Sequence, residues 1–305
     1  MKSLQILLCG LAICVASSAV AQAKVKLEKK GTTVTITVDG EAFSVFNFGE
    51  ELPKPFMSPV RGPGGTVLTR EIFTDRTKGD HPHHKGIWVA VDQINKIEFW
   101  GEKGKIVNRE VKLDVAEGDA AQMTVVNDWQ GEDGKAVVTE TTIIKIGSNR
   151  LFSYDITFRA AGTEPVEFGD TKEGLFGFRM VDSMRENEGG KVVNAEGDEG
   201  TKLCWGQASA WIDYTGTVEG KTFGVALFDH PLNFRASRYH VRNYGLFSIN
   251  PFGEKSYTGG KRPAQFEYLL PGATMRLRYG LLIHSGDTKS ANVEGVYQSY
   301  LKSGG

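Results

Sequence analysis

From residue 32 to 38 apolar and hydroxyl side chains alternate one by one, Asp39-Gly40 interrupts, and residues 42–48 run back. A period of two turns one face of a strand inward and the other outward, and Asp-Gly between two such runs is a strong hairpin signal. Residues 106–115, 121–128, 136–146 and 151–160 continue as strands. Glu117-Gly118-Asp119, Gly131-Glu132-Asp133-Gly134 and Gly147-Ser148-Asn149 separate them with turn chemistry. Such a run predicts an antiparallel meander with one buried face. Further strands are expected at 87–91, 208–214, 222–229, 244–250, 265–270 and 275–285, and a short helix at 293–301. No βαβ alternation, fixed repeat or low-complexity linker interrupts the pattern. The expectation is an all-β protein, a large antiparallel β-sandwich with few short helices, forming one domain over residues 24–305.

The N-terminus reads differently. Lys2 precedes an apolar stretch over residues 4–15, and Ala19-Val20-Ala21 and Ala21-Gln22-Ala23 are small-x-small cleavage sites. Residues 1–23 are therefore expected to be a signal peptide, and the mature protein periplasmic or secreted, with no membrane span. Cleavage removes Cys9 and Cys14 and leaves Cys204, in an apolar setting that predicts a buried structural thiol. The 36 basic and 37 acidic side chains nearly cancel, which argues against a nucleic-acid partner. The 37 glycines lack a collagen period and point to many tight turns. Gly62-Pro63-Gly64-Gly65 and Gly197-Asp198-Glu199-Gly200 lack the strand-before, helix-after setting of a phosphate loop.

Candidate chemistry gathers in a few loops. Asp80-His81-Pro82-His83-His84-Lys85-Gly86-Ile87-Trp88 holds three of the six histidines just ahead of a strand, a usual place for functional side chains on a rigid scaffold. An imidazole there serves proton transfer or contacts a ligand. A second reading gives His81, His83 and Asp80 part of a metal site, completed from His230 or His240. A third leaves the imidazoles capping the strand. Phe228-Asp229-His230-Pro231-Leu232-Asn233 and Tyr239-His240-Val241-Arg242-Asn243-Tyr244, with Asn250 beyond, supply imidazole, guanidinium, phenol and amide groups suited to a hydroxyl-rich or carboxylate-bearing ligand. Glu173, on a loop beside Gly174, is the first choice of carboxylate. Glu140 and Asp213 fall inside strands, where a solvent-facing ion is the ordinary explanation. Most of the five tryptophans are expected in the core.

Taken in order, Arg61-Gly62-Pro63-Gly64-Gly65-Thr66-Val67-Leu68-Thr69-Arg70, the Asp80–Trp88 segment, Glu98-Phe99-Trp100-Gly101, the Phe228–Asn233 segment, His240–Phe247, Asn250-Pro251-Phe252-Gly253, Leu270-Pro271-Gly272 and His284-Ser285-Gly286-Asp287 resemble the bacterial PmoA-like domain family. Tyr239 departs from it, since that family usually has tryptophan before the histidine. The label "methane oxygenase" attached to the family does not suit a chain with no spanning helix after its signal. The resemblance implies an exported β-protein, similar in architecture to the galactose-mutarotase-like supersandwich, whose enzymes act on sugars with a histidine acid and a carboxylate base. On this reading the ligand is a saccharide or uronate in a loop-lined cleft. His83 or His84 exchanges the proton, oriented by Asp80 and opposed by Glu173, in mutarotase, epimerase, lyase or glycosidase chemistry. Arg70, His81, Trp88, His230, Asn233, His240, Arg242, Tyr244 and Asn250 hold the ligand. No cofactor is called for unless the metal reading holds, and a non-catalytic carbohydrate-binding protein is the other alternative.

Overall fold

Strands Thr33–Val38 and Glu41–Asn47 pair antiparallel around the predicted turn, whose Asp39 and Gly40 take φ of 52° and 80°. Both values belong to the left-handed region that a two-residue hairpin requires. The computed structural model describes residues 24–73 and 79–304. The predicted export signal lies outside them. The meander also forms: Lys105–Val115, Ala120–Gln130, Ala136–Gly147 and Leu151–Ala160 are successive neighbours in one sheet. In Ala120–Gln130 burial alternates residue by residue, with Ala121, Met123, Val125, Asn127 and Trp129 inward.

Thr274–Ser285, Lys221–Asp229, Trp211–Val218 and Lys191–Asn194 extend this sheet to eight strands. A nine-stranded sheet faces it, in the order Arg238–Val241, Leu246–Asn250, Phe176–Arg179, Ile87–Val89, Phe56–Val60, Glu41–Asn47, Thr33–Val38, Val25–Lys30 and Glu117–Gly118. The inner faces meet through aromatic rings. Phe43 stacks on Phe152 at 4.9 Å, and Phe176 lies 4.5 Å from Tyr154. One apolar cluster joins both sheets, so the fold is an antiparallel β-sandwich. Helix Val293–Lys302 covers the other face of the eight-stranded sheet, laying Val293, Tyr297 and Tyr300 on Trp211, Phe228 and Leu282. Trp88, Trp100, Trp129 and Trp211 are buried, as is Cys204, whose thiol donates to Asp198 O and is pushed up to about 12 by burial. No helix among the described residues is long and apolar enough to cross a membrane.

The two strand carboxylates expected to face solvent are both buried. Glu140 accepts hydrogen bonds from Trp129 Nε1 (2.8 Å) and Thr142 Oγ1 (2.5 Å), and burial raises its pKa. Asp213 has no exposed surface; it lies 3.0 Å from His284 Nε2 and accepts from Thr288 Oγ1 at 2.6 Å. An inward carboxylate is tolerated because these donors replace water. Burial alone would lower the pKa of His284, but the hydrogen bond and charge of Asp213 outweigh it and raise it. A raised folded-state pKa contributes stability that is complete below about pH 6.5 and is lost as pH rises through the folded value. Denaturant midpoints should therefore fall as pH rises above about 6.5, and Asp213→Asn should flatten that fall. An unchanged slope in the variant would remove His284 as its cause.

Candidate functional site

The histidine-rich loop enters strand Ile87–Val89, near the middle of the nine-stranded sheet. His81 takes φ of 48°, and its carbonyl accepts from His84 N–H at 3.0 Å, which folds the loop back on itself. The neighbouring strand Phe176–Arg179 ends beneath it, and Arg179 N–H donates to Gly86 O at 2.9 Å. Two guanidiniums grip Asp80. Arg70 Nη1 donates to Oδ1 at 2.6 Å and Arg179 Nη2 to Oδ2 at 2.8 Å, while His81 Nδ1 lies 3.1 Å from Oδ2. Burial would raise the Asp80 pKa, but Arg179, His81 and Arg70 hold it well below the usual carboxylate range. Under the loop, Lys54 and Lys85 both reach Glu102 Oε1, at 2.8 and 2.7 Å, and donate to the carbonyls of His83 and Pro82.

Four rings form a stack above this base. Tyr244 lies parallel to His81 at 5.2 Å, His81 to His84 at 4.8 Å, and His84 to Trp88 at 5.4 Å. His83 stands edge-on to His84 at 4.5 Å and is half-buried. Burial, then the charge of Lys54, lowers its pKa to about 4, so its ring is neutral at pH 7.

The other side of the site comes from residues 170–174 and strand Arg238–Val241. His240 is buried, with Nδ1 3.1 Å from Lys172 O and 3.5 Å from Glu173 Oε2. Burial brings its pKa to about 4 against the pull of Glu173. A neutral imidazole facing a carbonyl and a carboxylate donates from Nδ1. Lys172 pairs with Glu173. Burial would raise the pKa of Glu173, but His240, Lys172 and, more weakly, His83 bring it below the ordinary value. Past Val241 the chain turns, Gly245 N–H donating to Arg242 O at 3.0 Å. This turn sets the Arg242 guanidinium 5.7 Å from the Tyr244 ring, with Arg179 at 4.9 Å. Burial raises the pKa of Tyr244, which also feels the charges of Arg242, Glu173 and Arg179.

His83, Glu173, Arg70, His81, Asp80, His240, Arg242 and Tyr244 thus gather in one place. Several expected roles change. Asp80 orients His81, not His83 or His84. His84 is sealed between His81 and Trp88 with Arg179 Nη1 3.2 Å from its Nδ1, and burial drives its pKa well down; it is a neutral packing ring rather than a proton donor. Trp88 is 1% exposed and supports the stack from inside. His230 and Asn233 belong elsewhere: His230 packs on Tyr300 of the C-terminal helix, and Asn233 bonds Asp229 and Arg278 O. Asn250 donates to Thr171 O and accepts from Phe252 N–H, so it shapes the Glu173 loop. Tyr239 is fully buried, its hydroxyl donating to Leu227 O, and packs as core. Among the described residues no three His, Cys, Asp or Glu side chains converge as metal ligands.

Arg179, Lys172 and Asp92 were not singled out by sequence. Asp92 pairs its N–H with Glu173 O at 2.9 Å, and its pKa is raised to about 6 by burial, then by Glu98 and Glu173. No local pattern marks any of the three.

Fold and site define an antiparallel β-sandwich protein with a cationic, histidine-rich site on its larger sheet. The chain belongs to the family described as "Family of unknown function (DUF6807)", whose model matches residues 33–298. This corrects the resemblance to the PmoA-like domain family, because the segments that suggested it lie inside the residues matched by a different family. No curated protein matches the chain in sequence. Similar solved structures include galactose 1-epimerase from Lactobacillus acidophilus NCFM, at 6% identity and a TM-score of 0.42, covering 87% of this chain and 100% of that one. A GH36 alpha-galactosidase from Geobacillus stearothermophilus is 9% identical with a TM-score of 0.38, covering 86% of this chain but only 41% of its own. Heparan sulfate lyase HepC from Pedobacter heparinus is 10% identical with a TM-score of 0.38, covering 91% of this chain and 38% of its own.

Proposed function

We propose that this protein binds a saccharide against His83, Glu173, Tyr244 and Arg242 and transfers protons at a sugar carbon. One observation carries the reading. The His83 ring, the Tyr244 hydroxyl and the Arg242 guanidinium make no hydrogen bond to any described residue; Glu173 interacts electrostatically with His83 and Tyr244, and Arg242 lies 5.7 Å from the Tyr244 ring. Buried polar groups are ordinarily satisfied by the protein, whereas these partly exposed tips are left to solvent and so are available to a ligand. Guanidinium, phenol and imidazole together suit vicinal hydroxyls.

The protonation states divide the work. Glu173, with a lowered pKa, and His83, at about 4, are proton acceptors at neutral pH. Tyr244, its pKa raised, keeps its proton and donates it. Removal of a proton by His83 or Glu173 and delivery by Tyr244 to a sugar oxygen amounts to mutarotation, epimerisation or elimination. In this reading the protein acts outside the cytoplasm, as the apolar stretch at residues 4–15 implies.

A proton NMR time course with sugars, uronates and oligosaccharides tests it. Accelerated anomer exchange, new sugar signals or vinylic protons are the expected result. Line broadening with no product would leave binding without catalysis. No change in any spectrum would overturn both.

A further inference from the structure

The charges around the site do not balance. Among the described residues, Arg70, Arg179, Arg242 and Lys172 stand against Asp80, Glu173 and Asp92, and Lys54 and Lys85 against Glu102, which leaves a surplus of two positive charges. Nearby Arg185 is matched by Asp182 and adds nothing. His83 and His240 are neutral and supply no compensation. The chain as a whole carries −1, so the surplus is local.

Its arrangement is also directed. Arg70 and Arg179 share Asp80 and build the loop, and Lys172 is held by Glu173. Of these cations Arg242 alone is exposed with no side-chain hydrogen bond or ion pair among the described residues, its guanidinium beside the Tyr244 ring. Apart from the Tyr244 ring, no described side chain partners its guanidinium. An exposed guanidinium beside partly buried polar groups recognises planar or tetrahedral anions through paired N–H donors, and neighbouring cations strengthen that field.

We propose that the site selects a saccharide carrying an anionic substituent, a carboxylate or a sulfate, seated on Arg242 beside Tyr244. This rests on the saccharide reading above and narrows it. The anion offsets one of the two surplus charges, and the sugar ring then lies across Tyr244 toward His83 and Glu173. Arg242 is a specificity-determining contact in this arrangement and takes no part in proton transfer.

Calorimetric titration of the full mature protein tests it with methyl glucuronide, methyl galacturonide and galactose 6-sulfate beside methyl glucoside, methyl galactoside and galactose. At least one acidic sugar should bind about tenfold or more tightly than its neutral counterpart, as expected for a charge-assisted contact. Added salt should weaken the acidic sugar more than the neutral one. Arg242→Gln, at an exposed position, should cost the acidic sugar about tenfold more than the neutral one. The carboxylate and sulfate arms identify which anion is read, and preference for either supports the proposal. Neutral sugars bound as tightly as acidic ones, or a preference untouched by Arg242→Gln, would overturn it and leave the saccharide reading standing. Failure of every sugar to bind would overturn both.

Discussion

Glu173→Gln is expected to lower turnover of the saccharide substrate by about a hundredfold or more, and His83→Ala by a similar factor, the usual cost of losing a positioned acid or base. Neither change should unfold the protein. Glu173 keeps 27% of its side chain exposed, and His83 is half-buried with no hydrogen bond to its ring among the described residues. Both variants should remain within about 1 kcal/mol of the parent in denaturant unfolding, as is common for sites outside the packed core. Amide for carboxylate at Glu173 preserves shape and the contact to His240 while removing the proton acceptor, so loss of rate with an unchanged fold isolates the chemistry. The pH profile adds a second readout. The accepting group must be unprotonated, and with His83 in that role the acid limb should lie near its value of about 4. A limb near the ordinary histidine value would show that burial does not hold the His83 ring at the lowered value. Full activity in both variants would remove the proposed roles outright.

The meander and the first hairpin were legible because strict alternation and turn residues coincide there. Two of the strands that carry the site, Phe176–Arg179 and Arg238–Val241, gave no such signal. Phe176–Arg179 is buried at every position and contains Gly177, where a Cβ would lie 2.7 Å from the Trp88 ring. A strand covered on both faces loses its period of two. Arg238–Val241 is likewise nearly all buried despite its histidine and arginine. The histidine loop could be recognised by composition, but its division of labour could not. Of two adjacent imidazoles, His84 is sealed by neighbours from distant segments and His83 is left open. Arg179 illustrates the same limit: its importance arises from facing Asp80 across 99 residues. Glu140 and Asp213 were misread because period alone gives a side chain's face, and partners such as Trp129 and His284 decide whether a carboxylate is tolerated inside.

Gly86→Ala should destabilise the protein by about 3 kcal/mol or more and abolish activity with it. Gly86 has φ of +59°, and a Cβ there would stand 1.9 Å from the Met57 carbonyl oxygen and 3.0 Å from Ser58 Cβ. The obstacle is backbone, since Met57 pairs with Ile87 where strands Phe56–Val60 and Ile87–Val89 meet. No rotamer relieves that contact. The strands must separate, which also disturbs the Gly86 carbonyl that receives Arg179 N–H and lifts residues 80–85 from their seat. Gly64→Ala supplies the comparison: its φ is +78°, yet nothing lies within 4 Å of the added carbon. It should show only the left-handed backbone cost, about 1–2 kcal/mol. Chemical denaturation of the two variants separates strain from collision. Equal losses would mean that the close approach at Met57 contributes nothing. A much larger loss for Gly86→Ala would establish that the histidine loop is fixed to the sheet by a contact only glycine permits.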